Sequence, residues 1–283
     1  MDFYICGEKG LAGIRHATTL GLSIDNVVVS QDSGINDLAH PQILKLAADL
    51  GLRVQTRDLT FERSEDAIAI GWKWLIKSEY QRVFVIHDSL LPKYRGWNPL
   101  VTALQLGDTV IGATLFQADL EMDTGPIVDQ VAITISHPTT IREASEKIHD
   151  AIGTLLLNFK GDVAIGPNNL VPQDETQASY SIWRDERDYD IDWSRSAEEL
   201  VRFIGSLSEP YDGARTSLQG AEVRVFKARE VPDIAIVNRQ PGKVWRITND
   251  GPLVVCGSGL IQLNQILIGQ EEIKISRVRQ RFI

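Results

Sequence analysis

Cysteine is nearly absent: the 283 residues include only two, Cys6 and Cys256, far apart in the chain. So sparse a pair argues against a disulfide framework, and no Cys/His spacing suits zinc, so no metal is expected. No run approaches the ~18 apolar residues of a membrane span, so no membrane association is expected. The opening Met1-Asp-Phe-Tyr-Ile-Cys-Gly7 lacks the basic stretch and long apolar core of a secretory signal. It reads as a first strand, and a soluble, cytoplasmic protein is expected. Positive charge is also scarce. The formal charge is −9, and it is uneven: residues 206–283 hold 11 Lys/Arg against 8 Asp/Glu, the first 205 hold 18 against 30. A surface that grips a nucleic-acid backbone needs clustered positive charge. The acidic first part argues against such a partner, and no repeat or low-complexity tract is evident.

What is present is an alternation. Residues 3–6, 27–30, 52–55, 67–70 and 83–86 are short apolar runs that read as buried strands. Between them lie segments such as 41–50 with apolar residues at helical spacing. The pattern predicts an α/β fold, a mostly parallel Rossmann-like sheet with helices on both faces. Residues 109–116 and 127–134 read as longer strands, an antiparallel pair. Thr140-Ile-Arg-Glu143 and Ser196-Ala-Glu-Glu199 are capping boxes. The first opens a helix with Ala144, Ile148, Ile152, Leu155 and Phe159 on one face; the second opens a short helix. A polar connector runs from Gly166 to about Ser179. After Gly213 the pattern changes to closely spaced strands, with Asn249-Asp-Gly251 as a hairpin signal and Gly257-Ser-Gly259 as a second turn. This predicts a small C-terminal β-barrel. At 283 residues two unequal domains are expected, residues 1–205 and 206–283.

The segment most suggestive of chemistry is His87-Asp-Ser-Leu-Leu-Pro-Lys-Tyr-Arg-Gly96. The His stands where an apolar run gives way to a Pro/Gly-punctuated loop, and ligands of open α/β sheets bind beyond strand ends. The next apolar run leads into Asp119-Leu-Glu-Met-Asp-Thr-Gly-Pro126, which offers Asp123. Two adjacent strand ends would thus bring a His and a carboxylate together as an acid/base pair. Lone versions of both have bland readings, a strand-end His and turn chemistry for Asp; it is the two loops together that point to function. Arg95 could bind a phosphate bidentately and Lys93 act as a point charge. Trp97 could stack on a base or sugar. Gly7-Glu-Lys-Gly-Leu-Ala-Gly13 resembles a phosphate loop, but a plain strand-to-helix turn explains it better. The carboxylate-rich run 184–192 reads as a solvated loop.

His-x-Ser-Leu-Leu-Pro-x-Tyr-Arg-Gly followed by Asp-Thr-Gly-Pro resembles the formyltransferases that use 10-formyltetrahydrofolate. The resemblance extends from Gly71-Trp-Lys-Trp-Leu-Ile76 to Ile191-Asp-Trp193, and more faintly to the C-terminus. It implies His87 and Asp123 as catalytic residues and 10-formyltetrahydrofolate as co-substrate. Trp74, Leu75 and Ile76 would hold the pterin on one side, with Leu120, Glu121 and Met122 on the other. Ser89, Lys93, Tyr94, Arg95 and Trp97 would line the acceptor side. The OB-like C-terminal barrel also agrees with the family and in it often serves a homodimer interface. One position departs from the pattern: an Asn that binds the formyl oxygen precedes the His by two residues, and here it is Val85. A valine cannot donate a hydrogen bond, so the contact is lost or supplied by a neighbour such as Asp88 or Asn98. An aliphatic residue at this position, with His and Asp retained, resembles the hydrolase domain of formyltetrahydrofolate dehydrogenase.

Among acceptors, methionyl-tRNA would call for a Lys/Arg-rich early insertion, and the matching residues 30–41 contain neither. A nucleotide-linked amino sugar fits better, giving a formamido sugar for a surface polysaccharide such as O-antigen. Methionyl-tRNA formylation, folate hydrolysis and non-catalytic folate or nucleotide binding remain as alternatives.

Overall fold

The computed structural model describes residues 1–31, 37–56, 61–76, 80–161 and 170–283. The chain forms two compact units. The first comprises Met1–Pro99, Val110–Thr134 and Ser145–Ile182; the second comprises Leu100–Thr109, Ile135–Ala144 and Trp183–Ile283.

In the first unit, β1 (Asp2–Ile5), β2 (Asn26–Val29), β3 (Arg53–Thr56), β4 (Asp66–Ile70) and β5 (Arg82–His87) form at the expected places, but β3, expected to be buried, is a mostly exposed strand at the sheet edge. Two residues, Arg95–Gly96, form β6, and β7 (Val110–Gln117) and β8 (Ile127–Thr134) follow. The sheet order is β3-β2-β1-β4-β5-β7-β8. Its first five strands are parallel, while β7 runs antiparallel to both β5 and β8. The architecture is therefore α/β with a mixed sheet in which four of the six neighbouring strand pairs are parallel and the β7–β8 pair is antiparallel as expected, with helices on both faces. Buried strands carry no period-2 polar pattern, so their relative direction is not written in residues 110–117.

Helix α1 (Gly7–Thr19) follows β1, α2 (Ala39–Asp49) follows β2, and α3 (Pro99–Leu106) precedes β7. The Gly7–Gly13 segment is thus the first half of a helix, not a phosphate loop. Its glycines allow close packing: a Cβ on Gly10 would stand 2.9 Å from Ile5 Cβ, and one on Gly13 2.5 Å from Ile70 Cδ1. Helix α4 (Ile141–Gly161) begins at the expected capping box, with Thr140 N donating to Glu143 Oε2 at 2.8 Å and Glu143 N to Thr140 Oγ1 at 3.3 Å. Its Phe159 meets Phe84 edge-on, with ring centroids 5.0 Å apart. This buries the Phe84/Ile86 face of β5, each large side chain contributing about 1.5–3 kcal/mol. By strand alternation Val83, Val85 and His87 point to the opposite face. No helix among the described residues is long and apolar enough to cross a membrane.

In the second unit, α5 (Ala197–Ser206) opens with the expected box, Ser196 and Glu199 each bonding the other's backbone N–H. Those bonds from Ser196, backbone first, draw the Glu199 carboxyl down to about 2. The two-residue strand β9 (Tyr180–Ser181) pairs with β6 within the first unit. After α5 come β10 (Ala214–Leu218), β11 (Ala221–Val231), β12 (Val244–Thr248), β13 (Gly251–Val255) and β14 (Leu260–Ile268). They run antiparallel in the order β10-β11-β14-β13-β12, and Asn249-Asp250 is the hairpin turn read from the sequence. Residues 280–283 reach both edges of this order. Ser217 N donates to Ile283 O at 2.8 Å, and Phe282 N donates to Gly242 O at 2.9 Å. Trp193 stacks on Phe282 at 5.5 Å and donates its indole N–H to Thr216.

Candidate active site

His87 ends β5 and is buried. The loop after it turns back sharply. Ser89 Oγ donates to Lys93 O at 2.6 Å, Thr114 Oγ1 donates to Ser89 O at 2.7 Å, and Gln130 Nε2 donates to Leu91 O at 2.8 Å. Tyr94 and Asn98 take positive φ, 57° and 50°, a conformation that costs non-glycine residues of order 1 kcal/mol or more. The turn brings Tyr94 O to 2.9 Å from His87 Nε2. A carbonyl can only accept, so Nε2 carries a proton and the other nitrogen, Nδ1, is where protonation changes. Nδ1 faces Asp123 Oδ2 at 3.7 Å, too long for a hydrogen bond but close enough for a charged pair.

Asp123 arrives by a different route from the one read in the sequence. Because β7 is antiparallel to β5, its C-terminal end lies level with the start of β5, where Ala118 N donates to Val83 O at 2.7 Å. The loop then returns towards His87, so the two residues do not come from adjacent strand ends on one side. Its neck is closed by Gln117 N donating to Pro126 O at 3.0 Å. Asp123 itself has φ 58°, and its Oδ2 accepts from Gly96 N at 2.7 Å. A Cβ on Gly125 would stand 1.8 Å from Gln117 O. Gly125→Ala is therefore expected to displace the neck and lower stability by about 2 kcal/mol, as read by urea titration.

Val85 packs with Tyr4, Trp72, Ile76 and Tyr80 in an apolar cluster on the His87 face of the sheet. Trp72 is edge-on to Trp74, 5.0 Å away, and its buried indole Nε1–H has no hydrogen-bond partner among the described residues. Beyond this cluster the apolar side chains are open: Leu75 is 81% exposed, Leu120 100% and Met122 58%. Ile76 is half-buried, and Glu121 is exposed beside Leu120. Asp88 does not replace the donor missing at Val85. Its Oδ2 accepts from Lys9 Nζ at 2.6 Å. Burial would raise its carboxyl, but the charges of Lys9 and His87 and the hydrogen bonds it accepts hold it below the usual range. An ionised carboxylate only accepts.

The acceptor-side residues separate. Lys93 is exposed, with its ammonium 5.1 Å from the Tyr94 ring centre, and Trp97 is part-exposed. Ser89 is buried and its hydroxyl closes the turn. Arg95, read from the sequence as a phosphate clamp, is 1% exposed and faces inwards. Its Nε and Nη2 donate to Gln173 Oε1 at 3.0 and 2.8 Å. Its Nη1 and Nη2 donate to Glu175 at 2.8 and 2.6 Å, and Nη1 also reaches Tyr180. No donor is left for a ligand. Gln173 and Glu175 escaped the sequence reading, which treats 166–179 as a polar connector. Its described part is instead a strap tied to the His87 loop, and no local pattern announces that. In the second unit the carboxylates of 184–192 cap and pair: Asp185 caps the turn 186–189, and Asp190 and Glu186 bind Arg215. Residues 32–36 of the Lys/Arg-free stretch, and 166–169 of the connector, lie outside the described residues.

The family described as Formyl transferase matches residues 72–159, a span that holds Val85, His87 and Asp123. A second pattern, described as Formyl transferase, C-terminal domain, matches residues 185–282, and the two cover well over half of the chain. The chain belongs to the formyl transferase family. Solved structures show the same fold. HypX from Aquifex aeolicus in complex with tetrahydrofolic acid is 20% identical, with a TM-score of 0.64 over 97% of this chain and 46% of its own. This chain thus spans a little under half the length of HypX. An N-formyltransferase from Helicobacter canadensis, in complex with folinic acid and dTDP-3-aminofucose, gives a TM-score of 0.67 at 16% identity, covering 93% of this chain and 99% of that one. Methionyl-tRNA formyltransferase from Clostridium thermocellum gives 0.53 at 16% identity over 97% and 100%. The first match takes in the His87–Asp123 pair and Val85.

Proposed function

We propose that this formyl transferase moves the formyl group of 10-formyltetrahydrofolate to the amino group of a nucleotide-linked amino sugar. The observation that carries the reading is the His87–Asp123 pair at 3.7 Å, beside apolar loops left open to solvent. A flat pterin suits such walls. Trp74, Leu75 and Ile76 would hold it on one side and Leu120, Glu121 and Met122 on the other. Folate-bound relatives of the same fold support the co-substrate, and the dTDP-3-aminofucose complex supports the acceptor class. The acidic first part of the chain disfavours tRNA. Lys93, Tyr94 and Trp97 would face the acceptor, with Ser89 and Arg95 shaping the loop that carries them.

When bound, 10-formyltetrahydrofolate supplies the activated formyl group. The protein's part is electrostatic and protonic. Protonated at Nδ1, His87 places positive charge where negative charge develops on the formyl oxygen, and Asp123 stabilises that imidazolium. With Nδ1 unprotonated at the start, that nitrogen would take the proton lost by the attacking amine, become this imidazolium, and return the proton to the leaving nitrogen. Closing residues 280–283 onto both sheet edges would complete the small barrel of the second unit, a candidate dimer interface.

Tetrahydrofolate release should be followed with a panel of nucleotide-linked amino sugars, methionyl-tRNA and an amine-free control. Release with one amino sugar alone is the expected result. Release with no amine would establish the second reading, hydrolysis, which Val85 favours through the resemblance to the hydrolase domain of formyltetrahydrofolate dehydrogenase, with its aliphatic residue at this position. Val85→Asn is expected to keep transfer or raise it by about tenfold by adding a donor. A large fall would mean that the pocket is built around valine.

A further inference from the structure

The Arg95 strap has a second set of bonds. Gln173, whose Oε1 accepts from Arg95 Nε and Nη2, sends its Nε2 to Asp123 O and Gly125 O, both at 2.8 Å. The two ends of one amide are therefore fixed in opposite roles. A guanidinium only donates and carbonyls only accept, so the amide fits this position in one orientation. Asp123 is held at three points: its carbonyl by Gln173, its carboxylate by Gly96 N, and its own backbone at φ 58°. The last is unfavourable for a non-glycine residue and persists only where its surroundings impose it. Gly96 N and Arg95 are consecutive in the loop that follows His87. The strap thus clamps the Asp123 loop to the His87 loop through a single side chain.

We propose that Gln173 is a positioning residue that sets Asp123 against His87, with the Arg95–Glu175 pair as its anchor. The kinetic part of its test rests on the formyl-transfer reading above; the exchange part does not. Gln173→Ala is expected to lower kcat for 10-formyltetrahydrofolate consumption by about 100-fold, the scale of a 1 Å misplacement, with KM for the donor little changed. In an Asp123→Asn background the same substitution should change kcat less than about twofold, because the two act through one group.

Gln173→Glu separates positioning from mere anchoring. The new carboxylate still accepts from Arg95, so a residue needed only as Arg95's partner would be rescued. It cannot donate to the two carbonyls, so a positioning residue would not be. Amide hydrogen exchange over residues 119–126 should rise about tenfold in both variants while β5 and α4 keep their protection. Unchanged exchange in this loop, full kcat in Gln173→Glu, or an additive loss in the double variant would each overturn the proposal. Should the wild type consume no donor, the exchange result alone decides it, and only the functional reading has failed.

Discussion

Replacing His87 with alanine is expected to lower donor consumption by about 1,000-fold, within the range of a lost general acid/base. The fold should survive. The His87 ring is buried, but its hydrogen bond among the described residues goes to the Tyr94 carbonyl, and the loop around it is closed independently by Ser89, Thr114 and Gln130. Asp123→Asn should cost less, because the amide preserves the acceptor for Gly96 N and removes only the charge that faces Nδ1. Steady-state kinetics beside a thermal melt checks both; a His87→Ala protein with full turnover would sink the catalytic assignment.

The largest expected loss of stability comes from Arg95. Arg95→Ala should destabilise the protein by about 3 kcal/mol in a urea titration, since it leaves Gln173 Oε1 without its donors and a gap where a buried side chain had been. The bonds to Glu175 hold the Arg95 guanidinium above its ordinary range and the exposed Glu175 carboxyl below its own. The Glu175 contribution is therefore present above the ordinary carboxylate range and is lost as pH falls through the lowered value. Arg95→Lys should recover only part of the stability, because an ammonium cannot reproduce the planar fork. Stability within about 0.5 kcal/mol of wild type in Arg95→Ala would show that the inward bonds contribute little.

Much of this was legible in the chain because it is written locally. The five parallel strands follow from apolar runs, the helix starts from Thr140 and Ser196, and the hairpin from Asn249-Asp250. His87 and Asp123 stand out because their loops carry unusual residues in unusual order. The rest depends on relations between distant residues. Nothing within 110–117 distinguishes a strand antiparallel to β5 from a parallel one, so the return path of the Asp123 loop could not be read. An arginine in a polar loop looks like a ligand for phosphate; its burial depends on Gln173 and Glu175, in what reads as a connector. Gly7, Gly10 and Gly13 resemble a loop motif, although two of them serve close contact between helix and sheet.

The strap has a consequence for how the site comes into being. The bond from His87 to Tyr94 spans 7 residues and that from Gly96 to Asp123 spans 27, whereas Arg95 meets Gln173 and Glu175 across 78 and 80. Longer loops cost more entropy to close and form later unless other contacts have already drawn their ends together. A newly made chain can shape its histidine turn as soon as the neighbouring strands pair, but the aspartate waits for a segment synthesised some fifty residues after it. On these spans the histidine turn is expected to form before the strap that finishes the site.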